Sequence, residues 1–162
     1  MPELLNTIVL QGAPVRVWTA LTDPEQRRRW GPLVHLDDPS RLGPTICGFP
    51  VRRNGGFIRT DALIETLDKP SGFGWSSGLP WLYTFAERFE VNGDDGGTSL
   101  VHSVIIRGAF GWLVGPMVLA RLRKALLDSD ERLAGYLRAR VTPPPVAPAR
   151  GRRPERQKRR SR

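Results

Sequence analysis

Cysteine occurs once, at Cys47, so no disulfide can form within the chain and the fold must rest on an ordinary core. Histidine occurs only at His35 and His102. With one thiol and no pair of histidines at helical spacing, no metal site is expected. The glycine-rich phosphate loop and the dinucleotide fingerprint are both missing, so no cofactor is expected either. No long uncharged apolar run is present. The greasiest window, 108–120, is too short to cross a bilayer and is interrupted by Gly115-Pro116. The opening MPELLNTIVLQ lacks the basic start and small-residue cleavage site of a signal peptide. A cytoplasmic protein without a transmembrane segment is the expectation. Lysine is scarce, 3 residues against 22 arginines, a bias that points to a GC-rich bacterial genome.

What is present is enough for one domain: 162 residues, 40% of them hydrophobic. The net charge of +9 is unevenly placed. From Arg150 to the end there are 8 basic residues and 1 acidic, leaving 17 basic and 15 acidic residues in the other 149. The segment 141–162 also holds prolines at 143–145, 148 and 154. Such a stretch cannot bury a core, so residues 1–140 are expected to form the domain and 141–162 a disordered basic tail.

Along the chain, Leu4, Ile8 and Leu10 alternate as one face of a first strand. Pro14 opens a short helix to Thr22. Asp23-Pro24-Glu25-Gln26 starts a second, with Asp23 as cap, Pro24 in the first turn and Gln26 closing a capping box. Arg27, Arg28 and Arg29 read as its solvated face. Strands follow at 33–36, 45–53, 57–67 and 72–77, separated by Asn54-Gly55-Gly56 and the turn at 68–72. Trp81–Val91 alternates Trp81, Tyr83, Phe85, Glu87, Phe89 and Val91 on one face. Asn92–Gly97 turns the chain, and Thr98–Arg107 returns with Leu100, His102, Val104 and Ile106 on one face. A long helix from Leu113 to Arg140 ends the domain. Its apolar stripe is Leu113, Val114, Met117, Val118, Leu122, Leu126, Leu133 and Leu137, and Pro116 is expected in its first turn. The fold class is therefore α+β, a curved antiparallel sheet of about six strands wrapped around a long C-terminal helix.

This order resembles the helix-grip fold of the START-like SRPBCC superfamily, and within it the polyketide cyclase/dehydrase-type members. The resemblance is carried by Ala13-Pro14-Val15-Arg16-Val17-Trp18-Thr19-Ala20-Leu21-Thr22-Asp23-Pro24 with Trp30, by Asp95-Gly96-Gly97-Thr98-Ser99-Leu100-Val101-His102, and by the final helix. It covers residues 3–140. It implies a hydrophobic cavity between sheet and helix, and relatives that bind or transform lipids, sterols, polyketides and other apolar molecules. It brings no shared catalytic motif to carry over.

Two polar residues stand out on the inward strand faces. If the turn pairs Val91 with Thr98, Glu87 sits opposite His102 with Cβ atoms about 5 Å apart. A carboxylate and an imidazole in one pocket can do acid–base work on a ketone; they can equally be a hydrogen-bonded pair that satisfies itself. The candidate ligand-lining set is Trp30, Phe49, Trp75, Trp81, Tyr83, Phe85, Phe89, Leu100, Val104 and Met117, against the alternative of plain core filling. Cys47 reads as a small buried thiol. Two functional readings stand side by side. One is binding, with or without transformation, of a small hydrophobic molecule in an internal cavity. The other is a non-enzymatic interaction module whose tail docks on RNA, ribosome or anionic membrane through weak, nonspecific charge. The oligomeric state is not legible.

Overall fold

The computed structural model describes residues 3–50, 56–94 and 97–139. The basic tail, the Asn54-Gly55 turn and Asp95-Gly96 lie outside the described residues. The order is β1 (Glu3–Leu10), α1 (Pro14–Thr22), α2 (Pro24–Trp30), β2 (His35–Leu36), β3 (Gly43–Pro50), β4 (Phe57–Asp68), β5 (Gly72–Leu79), β6 (Tyr83–Asp94), β7 (Gly97–Arg107) and α3 (Ala109–Ala139).

All seven strands join one antiparallel sheet in the order β1-β7-β6-β5-β4-β3-β2. Each strand from β2 to β7 pairs with its neighbour in sequence, as hairpins dictate, and β1 closes the far side against β7. The sheet curls round α3, which packs on β7, β1 and β6. Period-two alternation explains the inward set. On β1, Leu4, Asn6, Ile8 and Leu10 turn inward while Leu5 and Val9 stay exposed.

The β6–β7 register is displaced from the expected one. Both strands run further, to Asp94 opposite Gly97, so Val91 pairs with Leu100 rather than Thr98. Glu87 therefore faces Val104, and His102 faces Phe89. Glu87 and His102 become diagonal neighbours on the same face.

The two short helices follow their caps. Asp23 Oδ1 accepts from the Gln26 N–H at 2.7 Å. The Gln26 side chain does not close the box; its Oε1 accepts from the Tyr136 hydroxyl at 3.2 Å and so ties α2 to α3. Gly31 ends α2 in the left-handed region, φ 71°, with its N–H on the Arg27 carbonyl. The Gly31 carbonyl in turn accepts from Arg132 Nε at 2.9 Å.

Helix α3 begins at Ala109, so Pro116 lies inside the helix rather than in its first turn. The earlier start has a local cause. The N–H groups of Ala109 and Phe110 donate to the carbonyls of Trp81 and Leu82, so the β5–β6 turn caps the helix in place of a side chain. Gly108 makes the junction with φ +90°, and a Cβ there would meet the Leu82 carbonyl at 2.6 Å. The apolar stripe is also rotated from the expected one. Leu119, Leu126, Leu133 and Leu137 are buried, while Leu113 and Met117 point to solvent. Those two lie about half a turn round the helix from Leu133 and Leu137, so one face cannot hold all four. The gap between Leu126 and Leu133 is filled by two polar residues, Ser129 and Asp130, both buried.

Among the described residues, no helix is long and apolar enough to cross a membrane.

Candidate functional site

A groove of about 740 Å³ opens between the concave sheet and the first half of α3. Leu33 and Val34, on the link from α2 to β2, form one wall. Phe49 and Pro50 of β3 with Phe85 of β6 form the floor, and Arg121, Leu122, Lys124 and Ala125 of α3 form the opposite side. The floor is an aromatic stack. Phe49 meets Phe85 edge-on with ring centroids 5.3 Å apart, and Phe85 lies 5.6 Å from Trp75 behind it. A second hollow of about 640 Å³ lies on the other side of α2, bordered by Arg28, His35, Phe57 and Arg59. It is more polar, and its Arg59 is already paired with Asp37.

Behind the aromatic floor lies a buried polar chain. Trp75 Nε1–H donates to Glu87 Oε2 at 2.6 Å. Glu87 Oε1 lies 3.0 Å from His102 Nε2, and His102 Nδ1 lies 2.7 Å from Asp130 Oδ1. Asn6 Nδ2–H donates to Asp130 Oδ2 at 2.6 Å. Both ring nitrogens of His102 thus face carboxylate oxygens, which only accept when ionised, so the arrangement suits an imidazolium donating at both ends. Phe89 stacks on that ring at 4.1 Å. Burial opposes the charge on His102, but the hydrogen bonds and charges of Asp130 and Glu87 outweigh it and raise its pKa from 6.5 to about 9. Burial likewise pushes Glu87 up. The His102 bond and charge, with Arg27 and Trp75, reverse that and hold its carboxyl below the usual range.

Arg27 completes the set. It is 2% exposed, so it is not part of a solvated face. Its Nη1 and Nη2 donate to the carbonyls of Leu21 and Val34 at 3.0 and 3.1 Å. Its guanidinium lies over Trp30 and Phe73, with centroids 5.6 and 5.4 Å away. Burial lowers its pKa from 12.5 to about 10, against the pull of Glu87. Two cations and two anions therefore share one interior, and their charges balance.

No protein-family model and no curated protein matches the sequence. Solved structures do match. DynU16, a protein of the dynemicin biosynthetic locus, superposes with a TM-score of 0.65 at 22% identity; the match covers 85% of this chain but 48% of DynU16, so the chain spans about half its length. CV1439 from Chromobacterium violaceum gives 0.67 at 15% identity, covering 85% of this chain and 98% of that one. The AHSA1 protein SPO3351 from Silicibacter pomeroyi gives 0.64 at 17%, covering 85% and 99%. The chain has the helix-grip fold.

On this helix-grip frame the residues singled out from the sequence separate into three groups. Phe49 and Phe85 line the groove. Trp30, Trp75, Phe89, Leu100 and Val104 are buried in the core and are not among the residues lining either hollow; Trp30 donates its indole N–H to the Ala20 carbonyl at 2.8 Å. Tyr83 is half-buried against the same core. Trp81 and Met117 are corrections, at 72% and 53% exposed. Trp81 falls in the turn before β6 rather than on the strand, so strand parity does not apply to it. Met117 falls on the outer side of α3 for the phase reason given above. Glu87 and His102 do meet, but at 0% exposure, in the core and not on the groove surface. Cys47 is buried and free, and burial pushes its thiol pKa up.

The residues missed from the sequence are Asn6, Arg27 and Asp130 in the polar chain, and Leu33, Val34, Pro50, Arg121, Leu122, Lys124 and Ala125 in the groove. Three of these had a readable signal. Asn6 has the inward parity of Leu4 and Ile8. Asp130 lies four residues after Leu126 and three before Leu133, within the apolar stripe. Arg27 precedes the buried Trp30 by three, which puts both on one helix face.

Proposed function

We propose that the protein binds a small hydrophobic molecule, lipid- or polyketide-like, in the groove between the sheet and α3. The observation that carries this reading is the groove itself. At about 740 Å³ it falls within the usual range of small-molecule sites, and seven of the nine residues lining it are apolar. Apolar surface left in a hollow forfeits about 25 cal/mol per Å² of burial, which an apolar guest recovers. The helix-grip fold supports the reading, and the origin of DynU16 in a biosynthetic locus agrees with a guest of this kind.

In this reading Glu87 and His102 do not touch the guest. Phe85 and Trp75 stand between the groove and the pair, and both carboxylate oxygens and both ring nitrogens already have partners. The pair fixes the aromatic floor from behind and acts as a positioning element, with catalysis left out. The test is titration with a neutral apolar fluorophore such as Nile red. Ala125→Trp, which places an indole in the groove, should weaken binding by at least about tenfold while the far-UV spectrum is kept. Equal binding by the two proteins would remove the groove as the site.

A further inference from the structure

We infer that the guest of this groove is an anionic amphiphile, with its apolar body on Phe49, Phe85 and Leu122 and its carboxylate or phosphate head held by Arg121 and Lys124. The inference rests on the groove reading and adds the chemistry of the guest's head.

The charge along the groove is one-sided. Among the described residues, Arg121 and Lys124 are its only charged lining residues, and both are cations. They are three residues apart on α3 and therefore neighbours on its surface. The link from α2 to β2, strand β3 and strand β6 contribute Leu33, Val34, Phe49, Pro50 and Phe85 to the lining, so among the described lining residues no acid answers the two cations from across the groove. On the helix itself the nearest acids are Asp128 and Glu131. Neither forms an ion pair with Arg121 or Lys124 among the described residues.

Arg28, Arg88, Arg107, Arg123 and Arg138 likewise show no ion pair among the described residues, so what sets Arg121 and Lys124 apart is their place on the apolar groove; other cations of the domain are engaged. Arg27 has two carbonyls, Arg41 has Asp38, Arg59 has Asp37, and Arg132 has the Gly31 carbonyl. Arg16 donates to the Leu137 carbonyl at 3.1 Å. Arg121 and Lys124 have long apolar stems that can lie along the groove while their heads stay at its mouth in water. A neutral apolar guest would use the floor and ignore the mouth. A guest with an acidic head would use both at once, and a planar guanidinium beside an ammonium suits a carboxylate or a phosphate equally.

Both heads are exposed, so the attraction is moderate and screened by salt. The experiment uses the full chain and four probes of equal chain length: decanoic acid, decyl phosphate, decanol and decyltrimethylammonium. Each is titrated against bound Nile red, with the wild type and with Arg121→Gln/Lys124→Gln. Both positions are exposed, so the variant is expected to fold as the wild type does. At low salt, one or both acids should bind about tenfold more tightly than decanol, and the cation more weakly than decanol. That preference should disappear in the double variant and in 1 M salt. The tighter of the two acids identifies the head as carboxylate or phosphate. If decanol matches the acids, or the acids keep their preference in the double variant, the inference about the head falls and the groove reading stands. If Nile red and all four probes fail to bind, the groove reading falls and takes this one with it.

Discussion

Histidine His102 should titrate far above its ordinary range, and the protein's stability should follow it. The perturbation is a rise in pH from 6 to 10. In the fold the pKa of His102 is about 9, against 6.5 for an ordinary histidine. A pKa raised on folding contributes stability that is complete below about pH 6.5 and is lost as pH rises through about 9. At 1.36 kcal/mol per pKa unit, the loss is about 3 kcal/mol at most. For a domain of this size that lowers the melting temperature by about 6–12 °C. Glu87 acts at the other end. Its pKa is held below the ordinary 4.5, so its contribution is present above that pH and is lost as pH falls through its lowered value. The two together give a stability plateau between about pH 4.5 and 6.5. The direct assay is NMR of the imidazole Cε1–H signals. The chain has two histidines, and they should separate. His35 is lowered, first by burial and then by the charges of Arg27 and Arg28, so it should titrate below 6.5. Melting curves of Asp130→Asn supply a second reading, because that change removes the largest contribution holding the imidazolium and should flatten the alkaline slope. Two histidines titrating at or below 6.5, or an alkaline slope unchanged in Asp130→Asn, would refute the reasoning.

Three further outcomes are expected. Gly108→Ala should lower the urea midpoint by the equivalent of about 2–3 kcal/mol, since φ is +90° and the new Cβ would meet the Leu82 carbonyl at 2.6 Å; Gly135→Ala, helical and with nothing within 4 Å of its Cβ, should instead raise it by about 0.5–1 kcal/mol. Deleting residues 149–162 should leave the melting temperature nearly unchanged and abolish salt-sensitive retention on heparin, because 8 of the 25 basic residues leave with that segment.

The strand order and the long helix were legible because they rest on local rules. Alternation on β1, β6 and β7 set which residues face inward, and that included Glu87 and His102. Register was harder. It depended on where the β6–β7 turn ends, and Gly93 and Gly97 lie within strand where the composition suggested loop. The helix phase was lost because the apolar residues of α3 change face along its length. Leu113 and Met117 are hydrophobic without being buried, and no pattern within the helix tells a core leucine from an exposed one. Arg27 was misread for a different reason. A triple arginine looks like a solvated face, and the burial of its first member depends on the Leu21 and Val34 carbonyls, the Phe73 ring and the Glu87 carboxylate, all supplied from outside α2. The groove was legible only through the resemblance. Its walls come from four separate segments, and Arg121 and Lys124 gain meaning only once β3 and β6 are placed opposite them.

The pairing of β1 with β7 has a consequence in time. Glu3 lies against Ile105, and Asn6 reaches Asp130. At a synthesis rate of about 5–20 residues per second, β1 waits roughly 5–20 s before its partner strand exists. Asp130 arrives later still, so His102 has Glu87 for company before it has its second anion. During that interval Leu4, Ile8 and Leu10 form an apolar strand with both edges unpaired, the kind of segment that chaperones hold and that other nascent chains can pair with. The last helix therefore completes the first strand: a released chain truncated before α3 would keep Glu87 and His102 but lack the Asp130 carboxylate that both His102 and Asn6 reach.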